Sequence, residues 1–153
     1  RWISGHRRVF VGDARLVDLF KKLKTNVDSG TATFIQDGAV AALSDETHVA
    51  AMRDLYRRKR DILVPALRDI GCVVPDPDAT LYLWPRVPDG MDGLAFAKRL
   101  LDPSIAIVCS PGPALGETLA DGTNPGARHA RFALVPDLDQ VAEAAARLRR
   151  AFA

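Results

Sequence analysis

The 153-residue chain is 48% hydrophobic and 26% charged, which is the composition of a compact folded domain with enough apolar material for a core. Its formal net charge of +2 argues against the electrostatic binding of nucleic acid or of an anionic membrane. No apolar run approaches the roughly 20 residues that span a bilayer, and the first eight residues lack the hydrophobic core of a signal peptide.

The first half of the chain is predicted to form one strand and three helices. Residues 9–11 read as a short strand, and Gly12-Asp13 as the turn and N-cap of a helix that reaches about Lys24. A second helix is expected over Thr33–Leu43, and a third from Thr47 to about Ile70. Pro65 predicts a kink or a restart in the third. The basic side chains of these helices are interpreted as solvated helix faces: Lys21, Lys22, Lys24, Arg53, Arg57, Arg58, Lys59 and Arg60.

The second half has the pattern of strands alternating with helices. Strands are predicted at Cys72–Val74, Thr80–Trp84, Ile105–Cys109 and His129–Val135. Helices are predicted from about Gly93 to Leu101 and from Asp137 to Phe152. Strands with helices packed on one side make a two-layer α/β sandwich, which is the expected fold class.

Several chemistries find no support in the sequence. There is no glycine-rich phosphate loop and no GxSxG nucleophile motif. His6, His48 and His129 are scattered without a carboxylate cluster, so no metal site is expected and each is interpreted as a surface or packing residue. Cys72 and Cys109 form no CxxC motif and suit two reduced, mostly buried thiols, although a disulfide stays open.

Arg131 is the residue that needs an explanation, because it stands in a strand of apolar residues that includes Phe132, Leu134 and Val135. A guanidinium buried beside them costs several kcal/mol unless a carboxylate or a hydrogen-bonded network receives it. Its planar fork of donors suits two-point contact with a carboxylate. The partner is therefore either a substrate or an internal Asp or Glu.

An ordered series of short segments runs through the chain. It comprises Gly5-His6-Arg7, residues 24–30 (KTNVDSG), Gln36 with Ala41-Ala42-Leu43, residues 56–61 (YRRKRD), residues 79–84 (ATLYLW), Pro111-Gly112 with Gly116, and residues 130–134 (ARFAL). From about Gly5 to Leu148 this series resembles the C-terminal part of class I/II pyridoxal-phosphate aminotransferases. Through the DSG and YLW segments it is most similar to the LL-diaminopimelate and succinyldiaminopimelate aminotransferase branch.

The resemblance implies roles for two arginines. Arg131 falls where the family binds the substrate α-carboxylate, and Arg7 falls where a GxR arginine contacts the phosphate of pyridoxal 5'-phosphate, with Arg8 as the alternative. The family's Schiff-base lysine precedes that arginine by about eight residues, so the resemblance places no catalytic residue inside this chain. Leu115 replaces the family's aromatic residue in the PGxxFG turn, and the stretch Leu119–Gly126 is longer than the family's.

The resemblance further implies a domain organisation and a function. Residues 1–43 are expected to be a trailing segment of the large domain, and residues 44–153 the small C-terminal domain with its long interdomain helix. The expected function is amino-group transfer between an amino acid and a 2-oxo acid in a cytoplasmic homodimer, with diaminopimelate, succinyldiaminopimelate and aspartate open as donors. The chain alone is expected to be inactive. The alternative is a non-catalytic ligand-binding or interaction module descended from the same domain.

Overall fold

The computed structural model describes residues 12–27, 31–77 and 79–153. The chain divides into two compact units, Arg1–Ala50 and Ala51–Ala153. The predicted strand at residues 9–11 and both candidate phosphate-binding residues, Arg7 and Arg8, lie outside the described residues.

The first unit contains the two predicted helices, here α1 (Ala14–Val27) and α2 (Thr33–Ser44). The backbone N–H of Arg15 donates to Asp13 Oδ1 at 2.9 Å, so Asp13 satisfies one of the free amides at the start of α1, as predicted. The apolar stripe of α1 is exposed at Leu16, Leu19 and Leu23. Neither helix buries a residue completely in the described part of the chain.

Helix α3 (Thr47–Asp69) begins in the first unit and continues in the second. It runs without a break through Pro65, so the predicted restart is wrong. The helices α4 (Gly93–Leu100) and α5 (Leu138–Phe152) follow the prediction closely. A reciprocal capping box starts α5. The backbone N–H of Gln140 donates to Asp137 Oδ1, and the backbone N–H of Asp137 donates to Gln140 Oε1.

The strands are shorter than predicted: β1 is Tyr82–Leu83, β2 is Ser110–Pro111 and β3 is Ala130–Ala133. They form an antiparallel sheet in the order β1-β3-β2, with Tyr82 opposite Ala133 and Ser110 opposite Arg131. Cys72–Val74 contributes only an isolated bridge from Val73 to Arg86.

The predicted strand at Ile105–Cys109 is wrong. Ala106 has a φ of +51°, which an extended strand excludes. The backbone N–H groups of Ile105 and Ala106 both donate to Asp102 O, and Ile107 N donates to Leu100 O, so the segment packs on the end of α4. The apolar pattern that suggested a strand instead reports the burial of Ile105 and Ile107.

The core of the second unit lies between the sheet and the helices α3, α4 and α5. Its largest fully buried side chains include Leu67 of α3, Phe96 of α4, Leu148 of α5 and Leu83 of β1. Cys72 is buried and Cys109 half-buried, and both are free thiols, as predicted. Within the described ranges, no helix is long and apolar enough to cross a membrane, and no cluster of side chains could hold a metal ion.

Candidate functional site

Arg131 lies in the central strand of the sheet, on the face turned away from the core. Ala130 and Phe132 are buried on the inner side of β3, whereas Arg131 is half-buried and Ala133 is exposed. The strand alternation therefore lets the apolar residues reach the core while the guanidinium stays outside it. The expectation of a buried arginine is wrong, because Phe132 and Leu134 face the core whereas Arg131 faces the other way.

Two neighbouring strands hold the Arg131 side chain. Its Nη2 atom donates to Ser110 Oγ at 3.2 Å, and Ser110 is also its backbone partner across the β2–β3 pair. Its Cζ atom lies 4.7 Å from the centroid of the Tyr82 ring on β1, a cation–π contact between diagonal neighbours of an antiparallel pair. The strand β1 and the residues after it place Tyr82, Trp84 and Arg86 on this outer face and Leu83 in the core.

The guanidinium keeps donors for a ligand. Arginine has five N–H donors, and Ser110 accepts from one nitrogen. Across the described residues, no Asp or Glu forms an ion pair with Arg131, although ten other ion pairs are present there. Of the two partners that the sequence left open for Arg131, an internal carboxylate is therefore not found in this part of the chain.

His129 and Trp84 form a second contact on the same face, and His129 lies two residues before Arg131. Their rings stack with centroids 5.4 Å apart and planes within 4°. His129 thus acts as a packing residue, which is one of the two roles that the sequence suggested. Its Nδ1 atom is buried without a hydrogen-bond partner among the described residues. Trp84 was not singled out from the sequence as a site residue, although its alternation with Leu83 places it on this face.

The turn after Ser110 is fixed by a close approach of two glycines. A Cβ atom on Gly112 would lie 2.2 Å from Gly126 O, and one on Gly126 would lie 2.3 Å from Gly112 O. The Asn124 side chain bridges the same two segments: it donates to Pro113 O at 3.3 Å and to Gly116 O at 3.1 Å, and accepts from Gly126 N at 2.8 Å. The sequence identified the loop as irregular but missed Asn124 as its organiser.

Lys59 is not at a solvated helix position, and that interpretation of the sequence is wrong. The residue is 4% exposed, and its Nζ atom donates to Leu134 O at 3.0 Å and to Val135 O at 3.2 Å. The neighbouring Arg57 and Arg58 are exposed, as predicted. Lys59 lies one helical turn before the buried Leu63, so it belongs to the inner face of α3 by position. From the sequence alone, its charge favoured an exposed position.

A pair of exposed arginines shares one carboxylate near the sheet. Asp89 accepts from Nη2 of Arg128 and from Nη2 of Arg86, each at 2.9 Å. The hydrogen bond from Arg128, followed by the charges of Arg86 and Arg128, holds the pKa of Asp89 below its usual value. Exposed pairs of this kind contribute little to stability. Arg86 and Arg128 thus have an acidic partner, whereas Arg131 has none among the described residues.

The fold and the site together define a small α/β domain that presents a preorganised guanidinium on the outer face of its sheet. Residues 8–148 match the family model described as aminotransferase class I and II, and the chain therefore belongs to that family.

The relatives agree with this assignment. The chain is 38% identical over 140 residues to the LL-diaminopimelate aminotransferase of Aquifex aeolicus, covering 91% of this chain and 34% of that protein. It is 36% identical over 138 residues to the glutamate-pyruvate aminotransferase AlaC of Escherichia coli, covering 88% of this chain and 32% of that protein. The chain thus spans about a third of the length of these curated relatives.

Solved structures show the same fold. An aminotransferase from Neisseria meningitidis superposes with a TM-score of 0.81 at 37% identity, covering 93% of this chain and 35% of that one. A probable N-succinyldiaminopimelate aminotransferase from Thermus thermophilus gives a TM-score of 0.74 at 29% identity, covering 92% and 36%. The similarity to the C-terminal part of the family, expected from the sequence, is confirmed.

Proposed function

We propose that this chain supplies the substrate-carboxylate site of a pyridoxal-phosphate-dependent aminotransferase, with Arg131 as the residue that binds the α-carboxylate. One observation carries the proposal: the Arg131 guanidinium is held by Ser110 and Tyr82, faces away from the core and has no acidic partner among the described residues. Family membership supports the reaction class.

The role of Arg131 follows from its geometry. A guanidinium fixed at two points offers its remaining N–H groups as a planar fork, which matches both oxygens of a carboxylate. An amino acid bound at both carboxylate oxygens has its amino group and Cα held in one orientation. The loss of orientational entropy then occurs on binding and not in the chemical step. The Tyr82 ring covers one side of the guanidinium and keeps water from that side.

The cofactor assignment rests on fewer residues. Pyridoxal phosphate, when bound, supplies the electron sink for the amino-group transfer. Arg7, with Arg8 as the alternative, is proposed to contact its phosphate, and both lie outside the described residues. A phosphate suits an arginine as a ligand. The donor set described in the second unit fits a carboxylate, and no reaction step is assigned to its residues beyond substrate binding.

The 153-residue chain by itself is proposed to be inactive. Its lysines are Lys21, Lys22, Lys24, Lys59 and Lys98. Lys59 already donates to two carbonyls in the core, and Lys98 is exposed on α4. The three on α1 are exposed on a helix that buries no residue. A Schiff-base lysine needs a desolvated or charge-tuned amine that the cofactor can reach. Lys59 is desolvated, but its amine is already held by the two carbonyls, and the other four lysines are exposed.

The substrates and assembly are proposals drawn from the relatives. Relatives that are 33–42% identical are LL-diaminopimelate aminotransferases and a glutamate-pyruvate aminotransferase, which supports an amino acid donor and a 2-oxo acid acceptor. Diaminopimelate, succinyldiaminopimelate and aspartate-like donors are the candidates. A cytoplasmic homodimer without nucleic-acid or membrane partners is proposed for the whole protein.

The test is an amino-donor screen on the whole protein, with Arg131→Lys as the variant and Arg128→Lys as the matched control. Because a lysine cannot reproduce the two-point contact, Arg131→Lys is expected to lower kcat/KM about 10- to 100-fold, the equivalent of one charge-assisted contact. Arg128, whose partner is the exposed Asp89, should tolerate the change. An unchanged kcat/KM in Arg131→Lys overturns the assigned role.

The same screen distinguishes the enzyme from the non-catalytic module. The enzyme is expected to gain a visible absorbance band when pyridoxal phosphate is added and to turn over a donor. Binding of carboxylates without that band or turnover would favour the module. The 153-residue chain, tested alone, is expected to show neither the band nor turnover.

A further inference from the structure

A buried lysine on α3 is the feature that the proposed carboxylate site does not yet use. Lys59 is 4% exposed, and no other charged residue in the described ranges is buried. The flanking Arg57, Arg58 and Arg60 remain at least partly exposed, so one cation of this basic run has been turned inward. Burying an ammonium is unfavourable unless its donors are satisfied, so the contacts of Lys59 must compensate for its lost hydration.

The contacts of Lys59 lead to the end of β3 rather than to an acid. Its Nζ atom donates to the main-chain carbonyls of Leu134 at 3.0 Å and Val135 at 3.2 Å. The same atom lies 5.3 Å from the centroid of the Tyr56 ring, one turn earlier on the helix. No Asp or Glu forms an ion pair with it in the described part of the chain. The charge is therefore received by two carbonyl dipoles and one aromatic face.

These two carbonyls close the strand that carries Arg131. The strand β3 ends at Ala133, and the next residue, Leu134, donates its N–H to Leu81 O at 2.8 Å. Lys59 takes the carbonyl of that same residue, three positions after Arg131. Strand β2 pairs with the first part of β3, at Ala130 and Arg131, whereas Lys59 holds its far end on α3. The strand is thus fixed at both ends, and the guanidinium projects from between them.

We propose that Lys59 is a positioning residue for carboxylate binding: it fixes the end of β3 on α3 and thereby sets the place of the Arg131 guanidinium between Ser110 and Tyr82. The inference rests on the proposed function of Arg131. Lys59 touches neither substrate nor cofactor in this assignment. Its effect passes through the backbone of residues 131–135, which is five residues long and has little freedom once both ends are fixed.

The test is a double-mutant cycle in the whole protein, measured with the donor that the amino-donor screen identifies. Lys59→Met keeps the length of the side chain and removes its N–H donors. Losing the charged hydrogen bonds from Lys59 frees the end of β3 and thereby misplaces Arg131. We therefore expect the KM of the donor to rise about tenfold, with kcat within about twofold of the original value. Lys59→Arg, which can also donate to two carbonyls, should restore most of the affinity. Lys98→Met, a change at an exposed lysine, is the control.

The cycle separates positioning from a general loss of folding. In the Arg131→Lys background, Lys59→Met should add less than about a twofold change in KM, since residues that act as one unit are not additive. An equal loss of affinity in both backgrounds, or no change of KM in Lys59→Met, overturns the inference. If Lys59→Met does not fold, the cycle is run with Lys59→Arg, whose smaller change in KM must likewise vanish in the Arg131→Lys background.

The outcomes also separate this inference from the proposed function. If Arg131→Lys leaves the kcat/KM of the donor unchanged, the role of Arg131 fails and that of Lys59 with it. If Arg131→Lys lowers kcat/KM whereas Lys59→Met does not raise the KM, only the role of Lys59 fails.

Discussion

Arg131 and Ser110 are paired twice, once through the backbone of the β2–β3 ladder and once through a side-chain hydrogen bond of 3.2 Å from Nη2 to Oγ. Because the ladder fixes both Cα atoms, the serine hydroxyl meets the guanidinium with few rotatable bonds between the two strands. Ser110 also begins the turn that Gly112 and Gly126 lock in place. The guanidinium is therefore oriented before a ligand arrives, which lowers the cost of binding.

Ser110→Ala removes that hydrogen bond and leaves the backbone pairing intact. We expect the KM of the amino donor to rise about fivefold in the whole protein, since one partly exposed hydrogen bond to a charged group is worth about 1 kcal/mol. Ser104→Ala is the control, because its hydroxyl bonds to Asp102 in an exposed turn after α4. Steady-state kinetics on the two variants decide the matter, and equal KM values would contradict the orienting role of Ser110.

Tyr82 covers the other side of the guanidinium, and its contribution depends on the ring and not on the hydroxyl. Tyr82→Phe keeps the aromatic face and should preserve the affinity for the donor. Tyr82→Leu removes the face and should raise the KM about two- to fivefold, the range that corresponds to an exposed cation–π contact of about 0.5–1 kcal/mol. Similar KM values for the phenylalanine and leucine variants would show that the ring face is not used.

The sequence predicted the helices well because their signals are local. Apolar residues at helical spacing and caps such as Asp13 and Asp137 lie within a few residues of one another. Of the two alternatives predicted for Pro65, a kink or a restart, the restart is wrong, because α3 continues through the proline. Packing of the residues around the proline, Val64 and Ala66, into the core outweighs the local cost of the ring.

The strands and the inner or outer position of charged residues were harder to predict, because both depend on distant parts of the chain. Ile105 and Ile107 are apolar since they pack on α4, and the left-handed φ of Ala106 that allows this has no signature in a non-glycine residue. Lys59 lies inside because the carbonyls of Leu134 and Val135 accept its hydrogen bonds, and these residues are 75 and 76 positions away in the sequence. No pattern within a helix reveals such partners.

Gly126 is a position where a side chain has no room. Its Cβ would lie 2.3 Å from Gly112 O, so Gly126→Ala must push apart two backbone segments. We expect a loss of about 3 kcal/mol in the free energy of unfolding, at the upper end of overpacking effects. Gly12→Ala, where a Cβ would meet no atom within 4 Å, is the matched control. Urea unfolding of the chain tests both, and an equal stability of the two variants would contradict the close approach.

The two thiols should react slowly while the chain is folded. Burial, together with the nearby Cys109, raises the pKa of Cys72 to about 12, and burial raises that of Cys109 to about 11. Since the thiolate is the reactive form, alkylation by iodoacetamide at pH 8 should be about 100-fold slower than in denaturant. Rapid labelling of the folded chain at pH 8 would contradict the burial of both thiols.

The same raised pKa values predict how stability changes with pH. The folded chain holds these protons more tightly than the unfolded chain, whose thiols titrate near their ordinary pKa. The stabilisation is therefore complete below that ordinary pKa of about 9 and is lost as the pH rises from there through about 11 to 12. Cys72→Val should flatten this part of the curve in urea titrations. A variant curve as steep as that of the original chain would assign the alkaline loss to other groups.

Phe96 supports the sheet from behind Arg131. Its ring is fully buried and meets the ring of Phe132, the residue after Arg131, at 6.4 Å and an angle of 71°. Phe96→Ala should lower the free energy of unfolding by about 3–5 kcal/mol, since the cavity would open under the strand. Leu94→Ala, on the same helix but 47% exposed, should cost less than about 1 kcal/mol. Urea unfolding compares the two variants, and a similar loss in both would show that the helix, and not the buried ring, carries the stability behind β3.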